Sequence, residues 1–143
     1  MKKVKIKKLY EDSIIPTRSN KEDAGWDLYA HEDATIGPHL TIKIGTGIAI
    51  ATPKKMFAGV FARSGLASKQ GLRPANCVGV VDTGYRGEVI VALHNDGVAP
   101  VTINKGDRIA QLIFIPFKKI NFKEVEELND TDRGTGGLGS TGK

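Results

Sequence analysis

Short apolar stretches separated by polar turns with glycine or proline run along most of the chain. Residues 88–94 carry β-branched side chains with partial alternation, which is typical of a half-buried strand. Many short strands at close spacing are characteristic of an all-β sandwich or jelly roll, which we therefore predict for this chain. The predicted strands are 2–9, 24–30, 40–44, 47–51, 56–62, 75–81, 88–94, 101–103, 108–117 and 122–128.

One segment interrupts the β pattern and predicts a short helix. Ser64 is a suitable N-cap, residues 66–70 can form one or two helical turns, and Gly71 is a suitable end. The expected architecture is therefore an all-β fold with one short helix.

Residues 82–87 form a predicted tight turn between two strands. Gly84 and Gly87 permit a sharp reversal, which would hold Asp82 and Tyr85 on a stiff corner. Two interpretations of Asp82 stay open here, since it either caps the turn or belongs to a functional site. A second carboxylate, Asp27, lies inside an apolar run, where it is costly unless it has a partner.

Residues 130–143 are rich in glycine and hydroxyl groups, with Leu138 as the apolar side chain. Such a composition cannot compensate the entropy of ordering by burial, so we expect a mobile tail. Residues 134–139 match G-x-G-x-x-G and residues 137–143 match most of a P-loop, but both motifs need a following helix. We expect none in a sequence that stops at Lys143, and reject the Rossmann and Walker interpretations.

The tail could still wrap an anion with its glycine backbone, Arg133, Ser140 and Thr141. The alternative is a disordered tail without a role.

Composition and charge narrow the classes of function. The chain has 143 residues, which predicts one domain, and its net charge is +5. Much of the positive charge lies in lysines of residues 1–8, where Val4 and Ile6 would form the buried side of a strand. We expect a solvated lysine face and no direct nucleic-acid binding, because such binding would favour interleaved exposed aromatic residues.

The single cysteine excludes an internal disulfide and is consistent with a reducing compartment. We expect Cys77 to be a small core residue, and we find no metal-ligand spacing among Cys77, His31, His39 and His94. No segment resembles a signal peptide, and no apolar run approaches the roughly 18 residues of a membrane span. A cytoplasmic protein that does not bind membranes is therefore expected.

Five segments, in this order, resemble the motifs of the trimeric-type dUTPases, which hydrolyse dUTP to dUMP and pyrophosphate. They are AGWDLYA (24–30), ARSGLASK (62–69), GVVDTGYRGE (79–88), GDRIAQLI (106–113) and RGTGGLGSTG (133–142). The resemblance spans nearly the whole chain. It implies a distorted jelly-roll or β-sandwich-like barrel over residues 1–128 and a flexible glycine-rich C-terminal lid over residues 129–143.

The resemblance also implies a role for the corner. Asp82 would orient a water molecule towards the α-phosphorus and accept its proton. Tyr85 would pack under deoxyribose and leave no room for a 2′-hydroxyl. Asn76 and the main chain near Gly79 and Val80 would pair with uracil, and cytosine would leave buried polar groups unpaired.

The remaining implied contacts concern phosphates, metal and assembly. Mg²⁺ would be held mainly by the phosphates, with Asp27 near its waters. The site would form between the subunits of a homotrimer, with the tail closing over it. Leu138 stands where the family usually has a phenylalanine stacked on uracil. The implied phosphate contacts are Arg63, Ser64, Gly65, Gln111, Arg133, Ser140 and Thr141.

By this resemblance the enzyme would limit uracil incorporation into DNA and supply dUMP for thymidylate synthesis.

Two alternative functions remain, a deaminase and a nucleotide sensor. A dCTP deaminase would need a glutamate acid/base near C4 of the base, whereas the corner and the 64–66 segment match the dUTPase form. A nucleotide sensor would keep the pocket and act by binding partners.

Overall fold

The computed structural model describes residues 3–139 and shows ten strands and one helix within them. Two four-stranded sheets have the orders β1-β4-β8-β6 and β2-β10-β5-β7, and a small sheet pairs β3 with β9. All paired strands are antiparallel. The elements are β1 Lys5–Lys8, β2 Trp26–Tyr29, β3 Ala34–Ile36, β4 Thr41–Ala51, β5 Met56–Phe61, α1 Ser64–Gln70, β6 Leu72–Pro74, β7 Gly79–Val81, β8 Glu88–Asn95, β9 Val101–Ile103 and β10 Arg108–Pro116.

The inner faces of all three sheets contribute to one aliphatic core. In β8, alternate residues Val89, Val91 and Leu93 are buried, as the sequence pattern predicts. Leu28 of β2 and Leu112 of β10 join them from the second sheet. The predicted all-β, jelly-roll-like fold with one short helix is confirmed.

The segment predicted as two strands, 40–44 and 47–51, is one continuous strand, β4. The prediction of two strands is wrong because the glycines there form an irregularity within the strand rather than ending it. The register against β8 shifts between Gly45 and Ala49, and Gly47 has a φ of 69°. A bulge of this kind bends a strand while its pairing continues on both sides.

The prediction of a strand over 75–81 is also wrong for its first half. The chain leaves β6 at Pro74, crosses in a turn, and enters the other sheet at Gly79. Cys77 lies in this turn with a φ of 62° and is exposed, so the expectation of a core cysteine is wrong.

The predicted strand 122–128 is absent, and its side chains are exposed. Conversely, the sequence pattern missed β3 and β6, which are each only three residues long.

The helix lies where it was predicted, but its start differs. Arg63 occupies the N-cap position without a side-chain cap bond, and Ser64 is the first helical residue, so the Ser64 N-cap is wrong. Gly71 ends the helix with a φ of 65°, as expected for a left-handed C-cap.

At the other end of the chain, Val4 and Ile6 pack against the core and the neighbouring lysines of β1 are exposed, which confirms the lysine face. Within residues 3–139, no helix has the length and apolar character needed to cross a membrane. The domain boundary near residue 128 stays a prediction.

Candidate active site

The corner between β7 and β8 is tied down by main-chain and side-chain hydrogen bonds. The Tyr85 N–H donates to the Asp82 carbonyl at 3.1 Å, and the Tyr85 hydroxyl donates to the Glu88 carbonyl at 2.9 Å. The Thr83 hydroxyl donates to the Met56 carbonyl at 2.9 Å, which fixes the corner to the start of β5. The stiffness predicted from the sequence therefore comes from specific bonds.

The two glycines of the corner have different roles from those expected. Neither Gly84 nor Gly87 has a left-handed φ. A Cβ at Gly87 would collide with the ring and hydroxyl of Tyr85, whereas a Cβ at Gly84 would meet open space. Gly87 thus makes room for the tyrosine ring, and Gly84 is not sterically required.

The Asp82 carboxylate is exposed. Within residues 3–139 it has no hydrogen-bond or ion-pair partner, and it is the Asp82 carbonyl that closes the turn. The side chain therefore does not cap the turn in the described part of the chain, and its oxygens are available to water or a ligand.

A cleft of about 190 Å³ lies beside this corner. Gly79 and Val80 belong to β7, an edge strand whose one partner among the described residues is β5, so main-chain groups on its outer side are open to a ligand. Val80 is 60% exposed and Tyr85 is 45% exposed. The lining residues are Val60, Asn76, Gly79, Val80, Val81, Tyr85, Glu88, Val89 and Ile90.

A second, larger cleft of about 410 Å³ contains a carboxylate held between two arginines. Arg63 Nε donates to Asp27 Oδ1 at 2.9 Å, and an Arg108 terminal nitrogen donates to Asp27 Oδ2 at 3.2 Å. Arg63 also donates to the Arg108 carbonyl at 3.1 Å. These bonds supply the partner that Asp27 was expected to need, and they orient two cations towards one cleft.

Gln111 lies between these groups because of strand register. On β10 it pairs with Asp27 of β2 on one side and with Phe61 of β5 on the other. Its amide donates to the Ala62 carbonyl at 2.8 Å, and Gly25 lacks the Cβ that would collide with it. Ser64 and Gly65 complete the lining at the start of α1.

The Asp82 corner and Arg63 lie towards opposite ends of β5. The Thr83 bond to Met56 places the Asp82 corner at the start of this strand, whereas Arg63 follows its end at Phe61. At about 3.3 Å per residue, the separation along the strand is on the order of 20 Å. One chain therefore does not bring Asp82 and Arg63 together.

The predicted tail residues line neither cleft in the part of the chain that the structure describes. Arg133 donates to the Gly136 carbonyl at 3.0 Å, and Leu138 is fully exposed. Ser140 and Thr141 lie outside the described residues.

Sequence reasoning missed Arg108 as a site residue. The available signal was its position inside the 106–113 motif, three residues before Gln111.

Direct metal ligation requires donor side chains that are grouped together. Between residues 3 and 139, no three His, Cys, Asp or Glu side chains are grouped so that they could hold an ion directly. Both Asp27 oxygens already accept bonds from arginines, so this carboxylate fits a contact through a water of Mg²⁺ better than direct ligation.

The fold and the two clefts define an all-β protein with one cleft that contains two arginines and, among residues 3–139, a carboxylate without a partner on a stiff corner. The family model for dUTPase matches residues 11–142. The deoxyuridine 5′-triphosphate nucleotidohydrolase of Corynebacterium glutamicum is 48% identical over 98% of this chain and 95% of its own length. The enzyme of that name from Clostridioides difficile is 46% identical over 99% of both.

Solved structures agree with these relatives. A G164S mutant of the Staphylococcus bacteriophage 80alpha dUTPase with dUpNHpp superposes with a TM-score of 0.93 at 27% identity, covering 100% of both chains. A D95N mutant of the dUTPase from phage phi11 of S. aureus has a TM-score of 0.82 at 26% identity, covering 88% of this chain and 98% of that one. That structure concerns the coordination of a structural Mg(II) ion.

The chain belongs to the dUTPase family. It is a hydrolase that converts dUTP to dUMP and pyrophosphate. The identification as a dUTPase implied by the five motifs is confirmed, and the deaminase alternative is set aside.

Proposed function

We propose that Asp82 is the general base of dUTP hydrolysis. Its carboxylate accepts a proton from water as the water oxygen bonds to the α-phosphorus. The bond from the α-phosphorus to the bridging oxygen breaks, and pyrophosphate leaves. The observation that carries this proposal is the Asp82 carboxylate, which has no partner within residues 3–139, on a corner fixed by the bonds of Thr83 and Tyr85.

The cleft beside Asp82 is the proposed nucleoside site. The Tyr85 ring, held over Gly87 and bonded to Glu88, packs under deoxyribose and excludes a 2′-hydroxyl. Uracil lies along the open edge of β7 and pairs with main-chain groups at Gly79 and Val80. Asn76 completes this pairing from the adjoining turn.

The larger cleft is the proposed triphosphate site. Arg63 and Gln111 are oriented by Asp27 and the Ala62 carbonyl, so their remaining donors are available for phosphate oxygens. Ser64 and Gly65, in the first turn of α1, have main-chain N–H groups without helical partners. When bound, Mg²⁺ would neutralise phosphate charge and place one of its waters near Asp27.

The assembly proposed is a homotrimer with sites between subunits. A triphosphate cannot bridge the roughly 20 Å between Asp82 and Arg63 of one chain, so a second copy has to supply one of the two clefts. Apolar side chains after β10 also need a partner surface, because Ile120 is 73% exposed and Phe122 is 97% exposed.

The tail is proposed to close over the bound nucleotide. Arg133, Ser140 and Thr141 would contact the γ-phosphate, and Leu138 would cover uracil. The exposure of Leu138 in the absence of nucleotide is consistent with this role, because a closing segment needs an apolar side chain that is not already buried in its own subunit.

A substrate panel with Mg²⁺ tests the proposal. We expect pyrophosphate release from dUTP and at least a hundredfold lower kcat/KM with UTP, dCTP and dTTP.

Asp82→Asn should lower kcat by about three orders of magnitude and leave dUTP binding nearly unchanged. A retained kcat in Asp82→Asn would refute the general-base role, and tight dUTP binding without turnover by the wild type would favour a sensor.

A further inference from the structure

An ion pair outside both clefts joins β6 to the end of β8. Arg73 Nε donates to Asp96 Oδ2 at 2.7 Å, and a terminal nitrogen of Arg73 donates to Asp96 Oδ1 at 3.0 Å. This bidentate arrangement is the strongest geometry available to an arginine and a carboxylate. It holds the guanidinium in one orientation although both side chains are partly exposed.

The same guanidinium reaches the turn that presents Asn76. The second terminal nitrogen of Arg73 donates to the carbonyls of Pro74 at 3.3 Å and Ala75 at 3.5 Å. The Pro74 carbonyl also accepts the Cys77 N–H at 3.0 Å, which closes the turn. Arg73 therefore contacts an atom on which the shape of this turn depends.

The 75–78 turn contains a residue in an unfavourable backbone conformation. It connects β6 in one sheet to β7 in the other, and Cys77 has a left-handed φ of 62°. A non-glycine residue in this region raises the energy of the backbone and persists only where its surroundings hold it. A small relaxation of the turn would move Asn76 away from the edge of β7.

We propose that Arg73 and Asp96 are positioning residues for base recognition, which hold the 75–78 turn so that Asn76 and the start of β7 fit uracil. Neither residue lines the nucleoside cleft, so both act through the turn. This inference rests on the proposed binding of uracil at Asn76. Asp96 is itself fixed, because its N–H donates to the Gly71 carbonyl at 2.9 Å and His94 lies 3.5 Å from its Oδ1.

The test compares steady-state kinetics of the wild-type chain and five single variants. Arg73→Ala and Asp96→Asn should each raise the KM for dUTP about fivefold, the size expected for losing one favourable, partly exposed ion pair. Because Asp82 and the triphosphate cleft are untouched, kcat should change by less than about twofold. The preference for dUTP over dCTP should fall, and Arg73→Lys should restore part of both values.

A double variant and a matched control separate positioning from general stability. The double variant Arg73→Ala/Asp96→Asn should have a KM for dUTP no higher than that of the weaker-binding single variant, because the two residues act as one unit. Lys105→Ala removes another exposed ion pair, with Asp12, which contacts neither cleft, and should leave KM and base preference unchanged.

The outcomes distinguish this inference from the proposed site. If Asn76→Ala raises KM but the folded Arg73 and Asp96 variants keep the wild-type KM and base preference, the positioning role is overturned. Additive effects of the two substitutions on KM in the double variant would also overturn the positioning role. If Asn76→Ala itself leaves both values unchanged, the proposed base site is contradicted.

Discussion

Asp27 and Asp82 have opposite environments, and this difference is consistent with the separate roles proposed for them. Asp27 is 16% exposed and accepts bonds from Arg63 and Arg108 on its two oxygens. Asp82 is exposed, and no partner engages it in the described range 3–139. Asp27 is therefore suited to orienting cations, whereas Asp82 is suited to accepting a proton.

Leu138 gives a residue-scale prediction about nucleotide cover. Leu138→Phe should lower the KM for dUTP about fivefold, because ring stacking on uracil adds on the order of 1 kcal/mol to the apolar cover that leucine gives. Both side chains carry a Cβ, so the φ of 47° at this position costs either residue about the same. Val98→Phe, at an 87% exposed position on the loop after β8, is the control. Unchanged KM and kcat in Leu138→Phe would show that Leu138 does not cover the base.

At the residue scale, the sequence predicts the chemistry of a side chain better than its burial and its bonding partners. Asp82 and Tyr85 were singled out from a carboxylate and a ring between glycines, and both line or adjoin the smaller cleft. Cys77 was expected in the core because its neighbours are apolar, but a turn with a left-handed φ exposes it. Arg108 was missed because its bond to Asp27 depends on the pairing of β10 with β2.

At the element scale, strand register brings together the residues of the proposed triphosphate site, and an edge strand borders the proposed nucleoside site. Gln111 is placed by pairing on both sides of β10, whereas β7, among the described residues, pairs on one side only.

The contact between β6 and β8 predicts a dependence of stability on pH. The hydrogen bond from Arg73 lowers the pKa of Asp96 below its ordinary value of 3.8. A lowered pKa in the folded state stabilises the fold above the unfolded-state pKa, and this contribution is lost as pH falls through the folded pKa. The melting temperature of the wild type should exceed that of Asp96→Asn at about pH 5, and the difference should shrink towards about pH 3.

Asp12→Asn is the comparison for this measurement, because Lys105 likewise lowers the pKa of Asp12. The melting temperature of Asp12→Asn should likewise converge with that of the wild type at acid pH. The melting temperature of the double variant Asp12→Asn/Asp96→Asn should depend less on pH than that of either single variant. A constant difference between wild type and Asp96→Asn over this range would contradict the assigned pKa direction.

The accuracy of the element predictions followed the strength of the local pattern. Strand 101–103 has the predicted bounds, and 88–94 is extended by one residue to Asn95. Strand 122–128 was wrong because alternation alone does not supply a neighbouring strand with which to pair. β6 was missed because three residues ending in proline are too short for any period to show.

At the scale of the whole molecule, the fold class followed from strand spacing, whereas a site shared between subunits was implied only by the family resemblance. Five motifs in order predicted that their residues act together. Only the register of β5 shows that the Asp82 corner and Arg63 lie towards opposite ends of one strand. That separation depends on tertiary pairing, which no local pattern in the sequence encodes.

We predict that Asp82 of one copy and Arg63 of another act on the same dUTP molecule. Subunit complementation measures this directly. Asp82→Asn and Arg63→Gln chains, each inactive alone, are reassembled at equal concentrations, and native mass spectrometry confirms the mixed oligomers. If each site combines two chains, random mixing restores roughly a quarter of the sites, since each of the two positions is intact half the time. Activity no greater than that of the two parents, in confirmed mixed oligomers, would contradict the account.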